Sequence, residues 1–196
     1  MLFASKHPGF TLIEVMISTA IFAILTTMII VNFMRRSDED AVKQSTNQIV
    51  LDLQQMMTAA QSGQKYLGAS IGGYGVYINN YGTNLNSYIK YADIDSNGTW
   101  TGTNETIAIR KLLPSQSPLV RFIGFSTTFS SYFFLNVGYA VPGAGITLKG
   151  KLLEGNPWSA ITDPVIIKLK HTKKSLYSCI QITPIGVGVV TKITCP

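Results

Sequence analysis

At 196 residues, 46% of them hydrophobic and only 13% charged, the chain is too apolar and too sparsely charged for large-scale disorder. That length holds one long helix plus one domain of roughly 130 residues. A formal net charge of +6 is compatible with nucleic acid, an anionic surface or neither, so it selects no partner by itself. There are two histidines, His7 and His171, and no nucleophile elbow, zinc-ligand spacing, phosphate loop or dinucleotide fingerprint, so the sequence predicts a non-enzyme.

The first nine residues carry Lys6 and His7 and end in Gly9; Phe10-Thr11-Leu12-Ile13-Glu14 follows. From Phe10 to Met34 there is no Gly or Pro, and as a helix at 1.5 Å per residue this run spans about 37 Å, enough to cross a bilayer with some tilt. Glu14 is its one charged residue. A carboxylate at that depth costs roughly 2.5 to 3.5 kcal/mol on insertion scales, so it needs a partner or a purpose. An ordinary secretory signal places its apolar stretch before the cleavage point; here it lies after Gly9.

This N-terminus resembles the class III signal of type IV pilins and type II secretion pseudopilins. The resemblance implies that a prepilin peptidase cuts between Gly9 and Phe10 and methylates the Phe10 amine, leaving the helix on the mature chain. It also implies that Glu14 pairs with the Phe10 amine of a neighbouring subunit. The implied partners are other pilin or pseudopilin subunits, the peptidase and an inner-membrane assembly platform. The implied location is the bacterial inner membrane, single-pass with the C-terminal domain periplasmic or extracellular, and then a filament. Arg35 and Arg36 run against the positive-inside rule, but Lys6 and His7 offer a comparable cluster upstream and Asp38, Glu39 and Asp40 follow.

Beyond that charge run, Val42, Ile49, Val50, Leu53, Met56, Met57 and Ala60 recur at helical spacing, and Ser62-Gly63 supplies a stop. The expected organisation is a leader over 1–9, a helix over 10–62 that is transmembrane to 34 and amphipathic from 35, and a β domain over 63–196. After Gly72-Gly73 the texture turns β-branched and aromatic. Strands are predicted at Tyr74 to Asn79, Ser87 to Ala92, Thr106 to Leu112, Leu119 to Phe125, Tyr132 to Val137, Val165 to Lys170, Tyr177 to Thr183 and Val189 to Thr194, with a weaker one at Ile146 to Leu148. The fold class is therefore α+β, a long N-terminal helix packed on an antiparallel β domain of two small sheets or one curled sheet.

Tyr74-Gly75-Val76-Tyr77, Tyr88-Ile89-Lys90-Tyr91-Ala92-Asp93, Glu105-Thr106-Ile107 and Leu112-Leu113-Pro114 are similar to FimT-type minor pilins and H-type pseudopilins. An insertion-like run from Pro142 to Pro164 and a cysteine-closed end depart from that subgroup.

Within the domain, Asp93-Ile94-Asp95-Ser96-Asn97-Gly98 matches the opening of a Ca²⁺ loop, with Thr99 and Glu105 as further ligands. Asn104 stands where the bidentate Glu belongs, and a plain polar turn explains the same residues. No cofactor is otherwise required. Trp100 and Trp158 fall in predicted loops and read as packing anchors. Lys168, Lys170, Lys173 and Lys174, with Lys192 on the last strand, form a basic patch suited to DNA or another anion; the competing reading is an edge strand protected by lysines. A membrane-anchored DNA- or surface-binding module of a competence pilus is the alternative to a filament subunit. Cys179 and Cys195 are symmetric about Val187, so a hairpin centred there opposes them directly, within bridging distance.

Overall fold

The structure is a computed structural model that describes residues 10–80, 86–112, 120–126, 131–132, 134–141, 145–152, 156–173, 175–183, 189–193 and 195. The chain divides into two compact units, Met1–Asp38 and Glu39–Pro196, and one helix, α1 (Leu12–Gln61), runs through the division. In the first unit every described side chain from Phe10 to Ile30 is exposed. Leu12–Ile30 is long and apolar enough to cross a membrane, and it is the one such helix among the described residues.

In the second unit α1 is amphipathic as its spacing predicts, with Val42, Ile49, Leu53, Met56 and Ala60 all buried. The helix stops at Gly63, whose φ of 62° is the left-handed conformation glycine adopts without a Cβ clash. Gly63 N–H donates to the Ala60 carbonyl and Gln64 N–H to the Ala59 carbonyl, both at 3.2 Å, the two bonds of a Schellman cap.

Eleven strands follow among the described residues: β1 (Gly73–Asn79), β2 (Ser87–Asp93), β3 (Thr106–Lys111), β4 (Val120–Ser126), β5 (Ser131–Tyr132), β6 (Phe134–Ala140), β7 (Ile146–Lys151), β8 (Ser159–Ile161), β9 (Val165–His171), β10 (Tyr177–Thr183) and β11 (Val189–Ile193). They form a six-stranded sheet in the order β3-β2-β1-β6-β7-β8 and a five-stranded sheet in the order β11-β10-β9-β4-β5. All these pairings are antiparallel. One core cluster joins the inner faces of both sheets to the buried stripe of α1, with Val76, Ile78, Leu135 and Val137 from one sheet and Phe122, Phe125, Ile167 and Ile180 from the other.

Three expectations are corrected. The strand predicted from Tyr132 to Val137 is two strands, because the chain changes sheets there: β5 pairs with β4, and β6 pairs with β1 and β7. Within the insertion-like run the weaker strand predicted at Ile146 to Leu148 extends to Lys151 as β7, and an unpredicted strand, β8, joins it at the edge of the six-stranded sheet, its three residues too few to leave a periodic signal. The last hairpin is shifted by two residues, with Cys179 facing Ile193 and not Cys195. Its expected turn, Pro184 to Gly188, lies outside the described residues.

Candidate functional site

At the start of α1, Thr11 and Glu14 form a reciprocal capping box. The Thr11 N–H and hydroxyl each donate to Glu14 Oε2 at 3.0 Å, while the Thr11 hydroxyl oxygen accepts the Glu14 N–H at 3.3 Å. Thr-x-x-Glu thus begins the helix and gives the carboxylate a local partner in an apolar segment. Phe10 stands just before it, 88% exposed. Gly9, the expected cleavage residue, lies outside the described residues.

The family described as the prokaryotic N-terminal methylation motif matches residues 5–30, a span that holds Gly9, Phe10, Thr11 and Glu14. That match, with the apolar helix that follows it, supports the type IV pilin and pseudopilin superfamily. No curated protein and no solved structure matches it.

The domain of this pilin-like chain has a second candidate site at the loop between β2 and β3. Asp93 and Glu105 are almost fully buried, Asp95 is exposed, and one carboxylate oxygen from each lies within 4.8 Å of the others. Backbone donors fill much of this anionic space. Asp93 accepts from the N–H groups of Asn97 (3.0 Å) and Gly98 (2.8 Å), and Glu105 from those of Ile94 (3.2 Å) and Thr101 (2.7 Å). Burial raises the Asp93 pKa above the ordinary aspartate value, the Gly98 N–H opposes that, and Asp95 and Glu105 push it further up.

All the donors of this set are oxygens, the chemistry a hard cation requires. Asn97 and Thr99 are committed to each other: Asn97 Oδ1 accepts both the N–H and the hydroxyl of Thr99 at 2.7 Å, and Asn97 Nδ2 donates to Asp95 at 2.6 Å. One oxygen from each of the three carboxylates is within reach of a common cation, whereas the Asn97 amide would have to rotate to join them and further oxygens would have to complete the shell.

The same loop is strapped across the six-stranded sheet. Asn136 donates to the Gly98 carbonyl at 2.8 Å and Lys149 to that of Asn97 at 2.7 Å. Beneath it lies Tyr91, fully buried, on a floor that only glycine permits: a Cβ on Gly75 would sit 2.5 Å from the Tyr91 Oη. Trp100, tied to Thr106 at 3.0 Å, stacks on Tyr77 with ring centroids 4.9 Å apart, and Trp158 meets the same ring edge-on at 6.1 Å. Both tryptophans are packing residues, as their loop positions suggest.

On the five-stranded sheet, β9 alternates cleanly. Val165, Ile167, Leu169 and His171 are buried, while Lys168 and Lys170 face outward. Lys170 is in register with Arg121 of β4 on one side and Tyr177 of β10 on the other, and the ammonium groups of Lys168 and Lys170 lie 5.6 and 5.5 Å from the Tyr177 ring centroid. Arg121 and Tyr177 were not legible as patch members, since neither belongs to the lysine run; only the β4–β9–β10 pairing brings them in. Lys192 pairs with Ile180 in the register of β11 on β10, and its side chain lies outside those described. Lys173 is exposed beyond the end of β9, and Lys174 lies outside the described residues.

Cys179 and Cys195 are joined in a disulfide, with Cα atoms 5.3 Å apart. The bond runs diagonally, since Cys195 lies two residues past the partner of Cys179. An even displacement keeps both cysteines on one face.

Sequence reasoning missed a buried polar cluster between α1 and the β2–β3 edge. Asp52 receives Lys90 Nζ at 2.9 Å on Oδ1 and the Tyr88 hydroxyl at 2.6 Å on Oδ2, and Lys90 also donates to Gln55 Oε1 at 2.6 Å. Arg110 Nε approaches Asp52 at 3.6 Å, and Gln48 donates to the Lys111 carbonyl at 3.0 Å. Lys90 and Asp52 are 3% and 7% exposed, so the pair is effectively a core ion pair. Burial, reinforced by Asp52, drives the Tyr88 pKa far above its ordinary value and keeps the phenol a donor. The one signal available was the spacing of Gln48, Asp52 and Gln55, four and three residues apart beside the apolar stripe.

Proposed function

We propose that this chain is a pilin-like structural subunit, a minor pilin or pseudopilin, that is cleaved after Gly9 and assembled into a type IV pilus or type II secretion pseudopilus. The observation that carries the reading is the match of residues 5–30 to the methylation motif, together with an apolar helix from Leu12 whose first turn holds Glu14, four residues after Phe10. The mechanism is associative. The apolar helix is held in the membrane, leader removal frees the Phe10 amine, and Glu14 pairs with that amine on an adjacent subunit, where Coulomb attraction is far stronger than in water. Thr11 already holds Glu14 Oε2, so the carboxylate is tolerable in lipid before assembly, and Oε1 accepts no hydrogen bond among the described residues.

Mass spectrometry of the mature N-terminus tests processing, and filament yield of Glu14→Ala tests pairing. A working protein that retains residues 1–9, or a Glu14→Ala chain that enters filaments at normal yield, refutes the reading.

Two properties of the domain belong to the same proposal. Asp93, Asp95 and Glu105 would hold Ca²⁺, whose charge would offset their crowding. A cation bound only by the folded state at a hundred times its Kd adds about 2.7 kcal/mol of stability. Melting with Ca²⁺ and then with chelator measures this, and identical curves reject the site. The outward row of Arg121, Lys170 and Tyr177 with Lys168 favours a second reading, capture of DNA by sequence-independent phosphate contacts. Neutralising Lys168, Lys170 and Arg121 should then abolish salt-sensitive DNA retention while filaments persist; unchanged retention removes it.

A further inference from the structure

Asn97-Gly98 is the one Asn-Gly pair in the sequence; every other asparagine precedes a larger residue. An asparagine before glycine is the arrangement most open to ring closure between a side-chain amide and the next backbone nitrogen. Glycine has no Cβ to crowd the attack, and it permits the backbone turn that closure requires. The pair stands on the loop between β2 and β3, with Asn97 exposed to water and Gly98 at φ 71°, in the left-handed region.

Each reacting group there has a partner in place. The Gly98 N–H donates to Asp93 Oδ2 at 2.8 Å, so an acceptor for its proton is at hand. Asn97 Oδ1, where negative charge gathers during attack, accepts the Thr99 N–H and the Thr99 hydroxyl, both at 2.7 Å, the arrangement of an oxyanion hole. Lys149 Nζ donates to the Asn97 main-chain carbonyl at 2.7 Å. We propose that Asn97 is a self-modification site, at which the Gly98 nitrogen closes a succinimide ring on the Asn97 side chain and water opens that ring to an acidic residue. The Gly98 N–H bond breaks, its proton passes to Asp93, and the nitrogen's electron pair forms a bond to Asn97 Cγ. The Cγ–Nδ2 bond then breaks, and Nδ2 leaves as ammonia with a proton that replaces the one Asp93 took. Water adds to one ring carbonyl and cleaves its bond to the Gly98 nitrogen. Opening at the main-chain carbonyl, which Lys149 polarises, gives isoaspartate with a free carboxylate beside that ammonium; opening at Cγ gives aspartate. Either product removes the Asn97 Nδ2 donor that Asp95 Oδ2 holds at 2.6 Å and adds a negative charge to the loop. The reaction requires neither a filament nor a bound cation.

Peptide mass spectrometry of the purified full-length chain, aged in detergent and chelator at mildly alkaline pH, follows the exchange of NH for O at each asparagine. Asn97 should convert about tenfold faster than Asn104, an exposed asparagine of the same loop that precedes Glu105, and isoaspartate should be the main product. Conversion in the folded chain should be at least as fast as in the same chain unfolded in guanidinium. Slower conversion when folded would mean that the loop shields Asn97, and it overturns the proposal, as does a rate no greater than that of Asn104. Thr99→Val, which keeps the branched shape without the hydroxyl, should slow conversion at least about tenfold, and Thr99→Ser should restore it. A Thr99→Val chain that converts at the native rate overturns the role given to the hydroxyl. The comparison of folded with unfolded chain uses the native sequence, so it decides the matter even where Thr99→Val disturbs the loop.

Discussion

Replacing Asp52 with Asn isolates the energetics of the buried cluster, because the side chain keeps its volume and loses only its charge. The Lys90 ammonium would stay 3% exposed with only neutral acceptors, Gln55 Oε1 and the new amide oxygen, and Arg110 would lose the carboxylate 3.6 Å from its Nε. Removing one member of a buried ion pair costs about 3 to 5 kcal/mol, since the survivor keeps its desolvation penalty without the attraction that offset it. Against a usual domain stability of roughly 5 to 15 kcal/mol, that is a large share of the total. The apolar replacement Asp52→Leu, Tyr88→Phe, Lys90→Met removes every charge and donor at once and should lie within about 1 kcal/mol of the native chain.

Urea unfolding of the detergent-solubilised full chain measures both. Trp100 and Trp158 report it, since both rest on Tyr77 within the folded domain. With a slope of about 2 kcal/mol per molar, Asp52→Asn should lower the midpoint by about 2 M at unchanged slope, and the triple variant should restore it. A loss below about 1 kcal/mol for Asp52→Asn would show that water reaches Lys90 and that the pair is not buried in the energetic sense. A triple variant as unstable as the single one would show that the cluster contributes net stability, contrary to the desolvation argument.

Three further outcomes are expected. Leu67 sits at φ 50° and is 84% exposed, directly before Gly68 at φ 80°; Leu67→Asn should raise stability by about 1 kcal/mol in the same urea assay, because it relieves a left-handed leucine and loses no packing. Cys179→Ser with Cys195→Ser should cost about 3 kcal/mol by the loop-closure argument, and a native chain whose midpoint is unmoved by reductant would contradict it. Asp93 has a raised pKa in the fold, so its contribution is fully present below the ordinary aspartate value of about 4 and is lost as pH climbs through the raised value. In chelator, the native chain should therefore lose stability over that window relative to Asp93→Asn, and parallel pH profiles would reject the crowding of Asp93, Asp95 and Glu105.

What was legible in the sequence is what depends on neighbours along the chain. The helix stop at Ser62-Gly63 needs only a glycine after an apolar stripe, and the Thr11-to-Glu14 box needs only a spacing of three. The alternation of Val165, Ile167 and Leu169 with Lys168 and Lys170 reads directly as one buried and one open face. What was not legible depends on register between distant segments. Asp52 and Lys90 lie 38 positions apart, and each has an unremarkable local context, an acid on a helix flank and a lysine between tyrosines. Arg121 joins the basic row only because β4 pairs with β9, and the hairpin register is decided by where its turn falls, which shifts every facing pair by two when the centre moves by one.

The two kinds of site therefore differ in how far a single substitution can displace them. The Glu14 site is written in consecutive residues on one helix, so changes in the domain should leave its hydrogen bonds intact. The basic row and the Asp52 cluster exist only while the strands hold their pairing, so a slip of one residue at β9 would exchange Lys168 and Lys170 for Ile167 and Leu169 on the open face. The bulge in β4 between Phe122 and Gly124, where its pairing with β9 shifts, is where such a slip is most accessible. An Arg121-to-Lys170 distance measured in solution by paired spin labels would reveal it: a single short distance supports a fixed row, and a second population would mean that the basic face is only intermittently formed.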